Sequence, residues 1–317
     1  MILKNLITTG IFTSLLFAAF AFVQVDQTSE NELHSASEDH GFAVLELFTS
    51  EGCSSCPPAD DLMGQIEKKY KNEPVYILSY HVDYWNRLGW KDRFSTPENS
   101  QRQQQYSRML GSQVYTPQLI VNGKTEFVGS DHNAVESAIQ KALFISKNTK
   151  VELSARASQN EINVQYKTNS TDPKHTLIIN LVEKQSSTQV AQGENEGRHL
   201  QHWQIVHKQN KIQGNTIQDG ASTFLLPEHF SPDNWEIIAF IQNTQTGEIL
   251  GSAKTDLKYH PSQFLQLTLP QTFSLLSNSL KFNNNLKNDL NENKNNKNHL
   301  LVRCNLYVSM VWSKRFL

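Results

Sequence analysis

The chain has 317 residues, 38% hydrophobic and 19% charged, with a formal net charge of -2, 11 His and 3 Cys. Mean hydropathy is -0.50 and the pI is about 6.6. These values exclude a multi-span membrane protein and give no basic footprint for nucleic acid, while the length has room for two domains at roughly 150 residues each.

The N-terminus reads as an address. Lys4 supplies a positive charge, residues 11–23 (IFTSLLFAAFAFV) form an apolar run, and Ala19-Phe20-Ala21 has the small-x-small form of a cleavage site. The expectation is a signal peptide over 1–21; the alternative is an uncleaved anchor, since 6–25 is nearly long enough to span. Either route exports the body, as a secreted, periplasmic or membrane-anchored protein, into a compartment where disulfides persist. Contact with a membrane is expected only if the segment stays uncleaved. Residues 22–40 are polar and read as a flexible leader.

Structure is then expected to begin abruptly. Residues 42–48 (FAVLELF) predict a strand, and Leu62, Ile66 and Tyr70 recur at helical spacing behind Cys53 and Cys56. Pro57 and Pro58 suit a first helical turn. Residues 74–80 (PVYILSY) predict a second strand. Thr96-Pro97 opens a helix that Gly111 ends. Asn122-Gly123 between strand-like runs predicts a hairpin. Ser130 or Asp131 caps a last helix carrying Val135, Ile139 and Leu143. Strand, helix, strand, helix, hairpin, helix describes an α/β domain over 41–148.

From about residue 151 the pattern changes to short strand candidates at 151–153, 162–166, 177–182, 223–226 and 235–241. Their spacing predicts an all-β, immunoglobulin-like sandwich over 149–258. Residues 277–298 are Asn- and Lys-rich, so 259–317 reads as a low-complexity tail. It ends in an apolar stretch holding Cys304.

Cys53-Ser54-Ser55-Cys56 carries the chemistry. A thiol at a helix N-terminus faces unsatisfied N–H groups that favour the nucleophilic thiolate. Cys53 is expected to be the more exposed and to attack; Cys56, one turn inward, resolves. Three readings compete: a dithiol/disulfide redox centre, a metal site, and a structural clip. Zinc would want a second cysteine pair, which is missing; copper(I) could use Cys53, Cys56 and His81. A clip across two residues removes little unfolded-state entropy. The strand–motif–helix context favours redox chemistry.

The run LELFTSEGCSSCPPAD (45–60), together with YHVDYWNRLGWKDRF (80–94), VYTPQLIVNG (114–123) and GENEGRHLQHWQIV (193–206), resembles a secreted thioredoxin-like family of unknown function. The resemblance covers about 42–257. It implies a thioredoxin-like domain with Cys53 attacking and Cys56 resolving. It also implies a cis proline at Thr116-Pro117 facing the pair, with the Thr116 backbone open to a substrate strand. The expected activity is exported thiol–disulfide oxidoreduction on protein or small thiols, with no cofactor beyond the Cys53/Cys56 couple. Copper(I) handling, or a non-enzymatic binding module, is the alternative. Glu46 is a candidate proton relay, though its place between Leu45 and Leu47 suits a solvated strand edge equally. Trp85 and Trp90, with Tyr84 and Phe94, form either a substrate wall or a local core. His81 and Asp83 share a strand face as acid/base or metal candidates. His199 and His202 have x-x spacing without a third ligand. Arg198 is expected to tie two segments together.

Overall fold

The computed structural model describes residues 34–35, 41–158, 160–214 and 217–259. All lie in the first of two units of the chain, Met1–Ser262. The expected signal peptide, nearly all of the leader, and the tail beyond Tyr259 fall outside the described residues.

The strands in chain order are β1 (His34–Ser35), β2 (Ala43–Thr49), β3 (Val75–His81), β4 (Gln118–Val121), β5 (Thr125–Val128), β6 (Val151–Ala157), β7 (Glu161–Thr168), β8 (His175–Gln189), β9 (His199–Gln213), β10 (Asp219–Leu225), β11 (Trp235–Asn243), β12 (Ile249–Asp256) and β13 (Lys258–Tyr259). The helices are α1 (Pro57–Lys69), α2 (Pro97–Leu110) and α3 (His132–Phe144).

An α/β thioredoxin-like domain followed by a separate immunoglobulin-like sandwich is overturned by the sheet topology. One eight-stranded mixed sheet runs β12-β11-β8-β9-β3-β2-β4-β5 and takes four strands from each half of the chain. The seam is β3 beside β9, parallel, with Ser79 opposite Ile205. The Ser79 hydroxyl reinforces it by donating to the Trp203 carbonyl at 2.7 Å. A second sheet of β1, β6, β7, β10 and β13 packs over one face of the C-terminal strands. The reason lies in the cores. Val44, Phe48, Leu78 and Tyr80 from one half share a buried cluster with Ile178, Val206, Ile238 and Phe240 from the other. Strand edges and apolar faces that two separate domains would have to shield are joined here instead.

Local signals explain the elements. The β2 residues alternate: Ala43, Leu45 and Leu47 face α1 and α3, whereas Val44, Glu46 and Phe48 face the shared core and α2. Thr96 caps α2 by accepting from the Asn99 N–H, Pro97 occupies the first turn, and Gly111 ends the helix at φ 64°. Asp131 caps α3 through the Ala134 N–H. Asn122 and Gly123, at φ 50° and 68°, turn the β4–β5 hairpin.

Helix α1 is pinned to β9 through a glycine. A Cβ on Gly64 would stand 2.4 Å from the Trp203 indole nitrogen. Gly64→Ala should therefore cost about 1–2 kcal/mol net, overpacking outweighing the gain in helix propensity. A shift of the urea midpoint to lower concentration checks this; an unchanged or raised midpoint would show that Trp203 moves aside freely.

Candidate functional site

The site forms where β2 runs into α1. After Thr49 the chain turns tightly: the Cys53 N–H donates to Ser50 O at 3.1 Å and the Cys56 N–H to Cys53 O at 3.2 Å. Cys56 is the N-cap of α1, with helical φ/ψ, and Pro57 follows at the first position. Cys53 and Cys56 are joined by a disulfide.

Both cysteines are fully buried at 0% exposure, so the expectation that Cys53 is the more exposed of the two is corrected. Only Ser54 and Ser55 between them reach solvent. The cover is the loop between β8 and β9. Asn195, itself buried, donates from Nδ2 to the carbonyls of Glu51 (2.9 Å) and Cys53 (3.0 Å). Arg198 holds the Asn195 side chain at 2.7 Å, and the Ser54 N–H donates to Glu194 at 3.1 Å. The contact holds the Glu194 carboxyl below the usual range, because the Ser54 side chain and N–H favour the anion. Arg198 thus works within the loop rather than between two segments of a sandwich.

The Thr116–Pro117 peptide is cis. It precedes β4, and the Ser55 hydroxyl reaches the Thr116 carbonyl at 3.4 Å, so this loop does border the disulfide turn. The Trp85 indole donates to the Thr116 hydroxyl at 2.9 Å, and the Trp90 indole to Glu51 Oε2 at 2.7 Å. Both rings are half-buried. They bracket the turn through defined hydrogen bonds. Phe94 is buried in edge contact with His81 and His202.

Glu46 is not brought to the disulfide. It is fully buried, paired with Arg102 Nε at 2.6 Å and hydrogen-bonded by the Tyr106 hydroxyl. Strand alternation is the reason: Glu46 points to the face opposite α1, whose first residues follow Cys56. A solvated edge position is equally ruled out.

Behind the cysteines lie buried ionisable groups that sequence reasoning did not gather. Glu51, Asp60, His81, Asp92 and His202 are all between 0% and 4% exposed. His81 Nδ1 meets Asp92 Oδ2 at 2.7 Å, and the Glu51 and Phe94 N–H groups also donate to Asp92. Burial pulls the His81 imidazole down, but Asp92, Asp60 and Glu51 outweigh it and raise it above its ordinary value. Burial likewise pushes Asp92 up, but His81 and the N–H donors hold it below the usual carboxylate range. Asp60 is pushed up to about 6, by burial first, against the lowering effects of His202, His81 and the Thr49 hydrogen bond.

His202 Nε2 stands 3.2 Å from Glu51 Oε1 without hydrogen-bond alignment, and the two rings of His81 and His202 cross at 5.0 Å. His202 belongs to this cluster and His199 is exposed, so the x-x spacing does not make a ligand pair. Among the described residues no group of three or more His, Cys, Asp or Glu is placed to hold a metal. Of the residues in the copper reading, Cys53 and Cys56 are joined in the disulfide and His81 Nδ1 is engaged by Asp92. Asp83 turns away to the Ser100 hydroxyl at 2.5 Å. The sequence signals for the missed residues were slight: Asp60 sits four residues after Cys56, and Glu51 and Asn195 each sit within a motif quoted above.

The fold and site define a β-rich protein with a buried Cys-Ser-Ser-Cys disulfide at a strand–helix corner. The chain belongs to a family described as protein of unknown function (DUF1223), whose model matches residues 44–242. It is similar to a structural-genomics protein from Agrobacterium tumefaciens solved by X-ray crystallography, at 25% identity and TM-score 0.52, covering 71% of this chain and 100% of that one. It also shares its fold with HBP35 of Porphyromonas gingivalis, at 15% identity and TM-score 0.51, covering 72% and 79%. No curated protein matches. Among the described residues no helix is long and apolar enough to cross a membrane.

Proposed function

We propose that this protein is an exported thiol–disulfide exchange protein acting through Cys53 and Cys56 on protein or small-molecule thiols. The observation that carries the reading is the disulfide placed at the N-terminus of α1, where a departing Cys56 thiolate meets the positive end of the helix. Buried carboxylates and imidazoles beside it favour chemistry over a passive clip, since such groups are costly to bury and concentrate at working sites. Export is supported by the apolar N-terminal run and by the persistence of disulfides outside the cytosol.

In this reading a partner thiolate attacks Cys53 Sγ. The partner–Cys53 bond forms, the Cys53–Cys56 bond breaks, and the electron pair leaves on Cys56 Sγ. A second partner thiolate then releases the oxidised partner and leaves the dithiol; the reverse sequence oxidises a partner dithiol. Thr116 and Pro117 border the approach to the disulfide turn, with Trp85 and Trp90 as its flanks. The redox couple needs no further cofactor.

Cys56→Ser removes the resolving thiol. Reduced Cys56→Ser protein treated with glutathione disulfide should hold glutathione on Cys53, while the wild type releases it and closes the Cys53–Cys56 bond. Mass spectrometry of the non-reduced protein reads both. If the variant captures no thiol and the wild-type couple does not cycle, the disulfide is structural and the proposal fails.

A further inference from the structure

The exchange reaction moves a proton at a sulfur that is buried in the folded protein. Cys56 is buried at 0% exposure, under a turn that the Asn195 loop fastens through the Cys53 carbonyl. Asp60 is the carboxyl nearest to it along α1. It follows Cys56 by four residues, one helical turn, and Cys56 already has helical φ/ψ, so the two side chains leave the same face with Cβ atoms about 5–6 Å apart. The backbone binds the pair as well, the Asp60 N–H donating to Cys56 O at 3.2 Å.

We propose that Asp60 is the proton donor and acceptor for Cys56 during exchange, tuned by His202 and by the Glu51, His81 and Asp92 group packed behind it. The proposal rests on the thiol–disulfide reading above. When a partner thiolate attacks Cys53 and Cys56 Sγ departs with the electron pair, the Asp60 acid gives that sulfur its proton and becomes a carboxylate. In resolution the carboxylate takes the proton back, the Cys56 thiolate attacks Cys53 Sγ, and the partner thiolate leaves.

Three observations support it. The Thr49 hydroxyl occupies Asp60 Oδ2 at 3.0 Å, leaving Oδ1 as the oxygen that can carry the proton. Burial poises the carboxyl at about 6, where acid and base forms are both available near neutrality. The groups facing it come from each neighbouring element: Thr49 from β2, His81 from β3, Asp92 from the segment between β3 and α2, and His202 from β9, with Glu51 of the turn acting on His81. Among these, Glu51 Oε1, His81 Nε2 and both His202 ring nitrogens are buried without a hydrogen bond. They are open donor and acceptor positions able to rearrange when the charge on Asp60 changes.

The test loads glutathione onto Cys53 of the full chain and follows its release by Cys56 as a function of pH. In the wild type, release should speed up as pH rises through an inflection near 6, as Asp60 becomes the base. Asp60→Asn keeps an oxygen for Thr49; release should fall about 100-fold and lose that inflection. His202→Gln removes the imidazole whose electrostatic effect lowers Asp60, so the inflection should move to higher pH. Release at the wild-type rate with the inflection intact in Asp60→Asn overturns the proposal. If Asp60→Asn does not fold, an unmoved inflection in His202→Gln overturns it. A wild type that neither accepts nor releases glutathione defeats the exchange function itself, which is a separate result.

Discussion

Arg102→Met should lower the free energy of unfolding by about 3–5 kcal/mol, because it strands the Glu46 carboxylate without its cation in the core. Glu46 is 0% exposed and Arg102 4%. The guanidinium donates to Glu46 Oε1 at 2.6 Å, to the Tyr106 hydroxyl at 3.0 Å and to Gln242 Oε1 at 3.3 Å. It also lies over the rings of Tyr80, Tyr106 and Phe240, at 5.0–5.5 Å. One side chain on α2 therefore ties β2 to β11, strands from opposite halves of the chain. Urea unfolding followed by tryptophan fluorescence measures the effect. Adding Glu46→Leu to Arg102→Met should restore much of the loss, since burying neither charge avoids most of the penalty. A single-variant loss below about 1 kcal/mol would mean that water reaches Glu46 and that the network does not join the halves.

Asn195→Ala should speed reduction of the Cys53–Cys56 disulfide by dithiothreitol about 10–100-fold. Asn195 makes two buried hydrogen bonds, to the Glu51 and Cys53 carbonyls. Each is worth about 1 kcal/mol net, with a further cost for carbonyls left unpaired, and 1.4 kcal/mol is a factor of ten. Reduction requires the loop to open, so weakening its closed form raises the open population. Glu194→Gln should have a smaller effect, because its bond to the Ser54 N–H is exposed. Equal reduction rates in wild type and Asn195→Ala would show that the loop does not control access. The loop is tightly built for its length: Gly197 N–H meets Val190 O at 2.9 Å and Val190 N–H meets Arg198 O at 3.0 Å. It is expected to move as a unit.

Because the folded form of Asp60 is raised from 3.8 to about 6, its contribution to stability is complete below its unfolded value and is lost as pH rises through about 6. At neutral pH the charged Asp60 carboxylate is therefore a destabilising element of the folded protein.

Local elements were readable because their causes are local. The Thr96 cap, the Pro97 first turn, the Gly111 stop, the Asn122-Gly123 hairpin and the Asp131 cap depend on hydrogen bonds and backbone angles within a few residues. The strand–CSSC–helix order was equally open to view. β9 was not read as a strand: HLQHWQIVHKQNKIQ is largely polar, with little apolar alternation, because much of it lies at half-buried positions. Missing β9 hid the β3–β9 seam, and with it the eight-stranded sheet.

Glu46 and Asp60 divide the lesson most clearly. Sequence alone determined that a cysteine pair sits at a helix N-terminus and, by resemblance, that Thr116-Pro117 belongs beside it. Only the tertiary structure decided where these carboxylates lie and what they touch. Strand alternation sent Glu46 into an ion pair with Arg102, and packing of α1 on β2 put Asp60 against the Thr49 hydroxyl. It also decided that the disulfide is covered, because the covering Asn195 is 142 residues away from Cys53 in the chain. Contacts at that separation depend on how sheets and loops pack, and no local pattern of side chains encodes them.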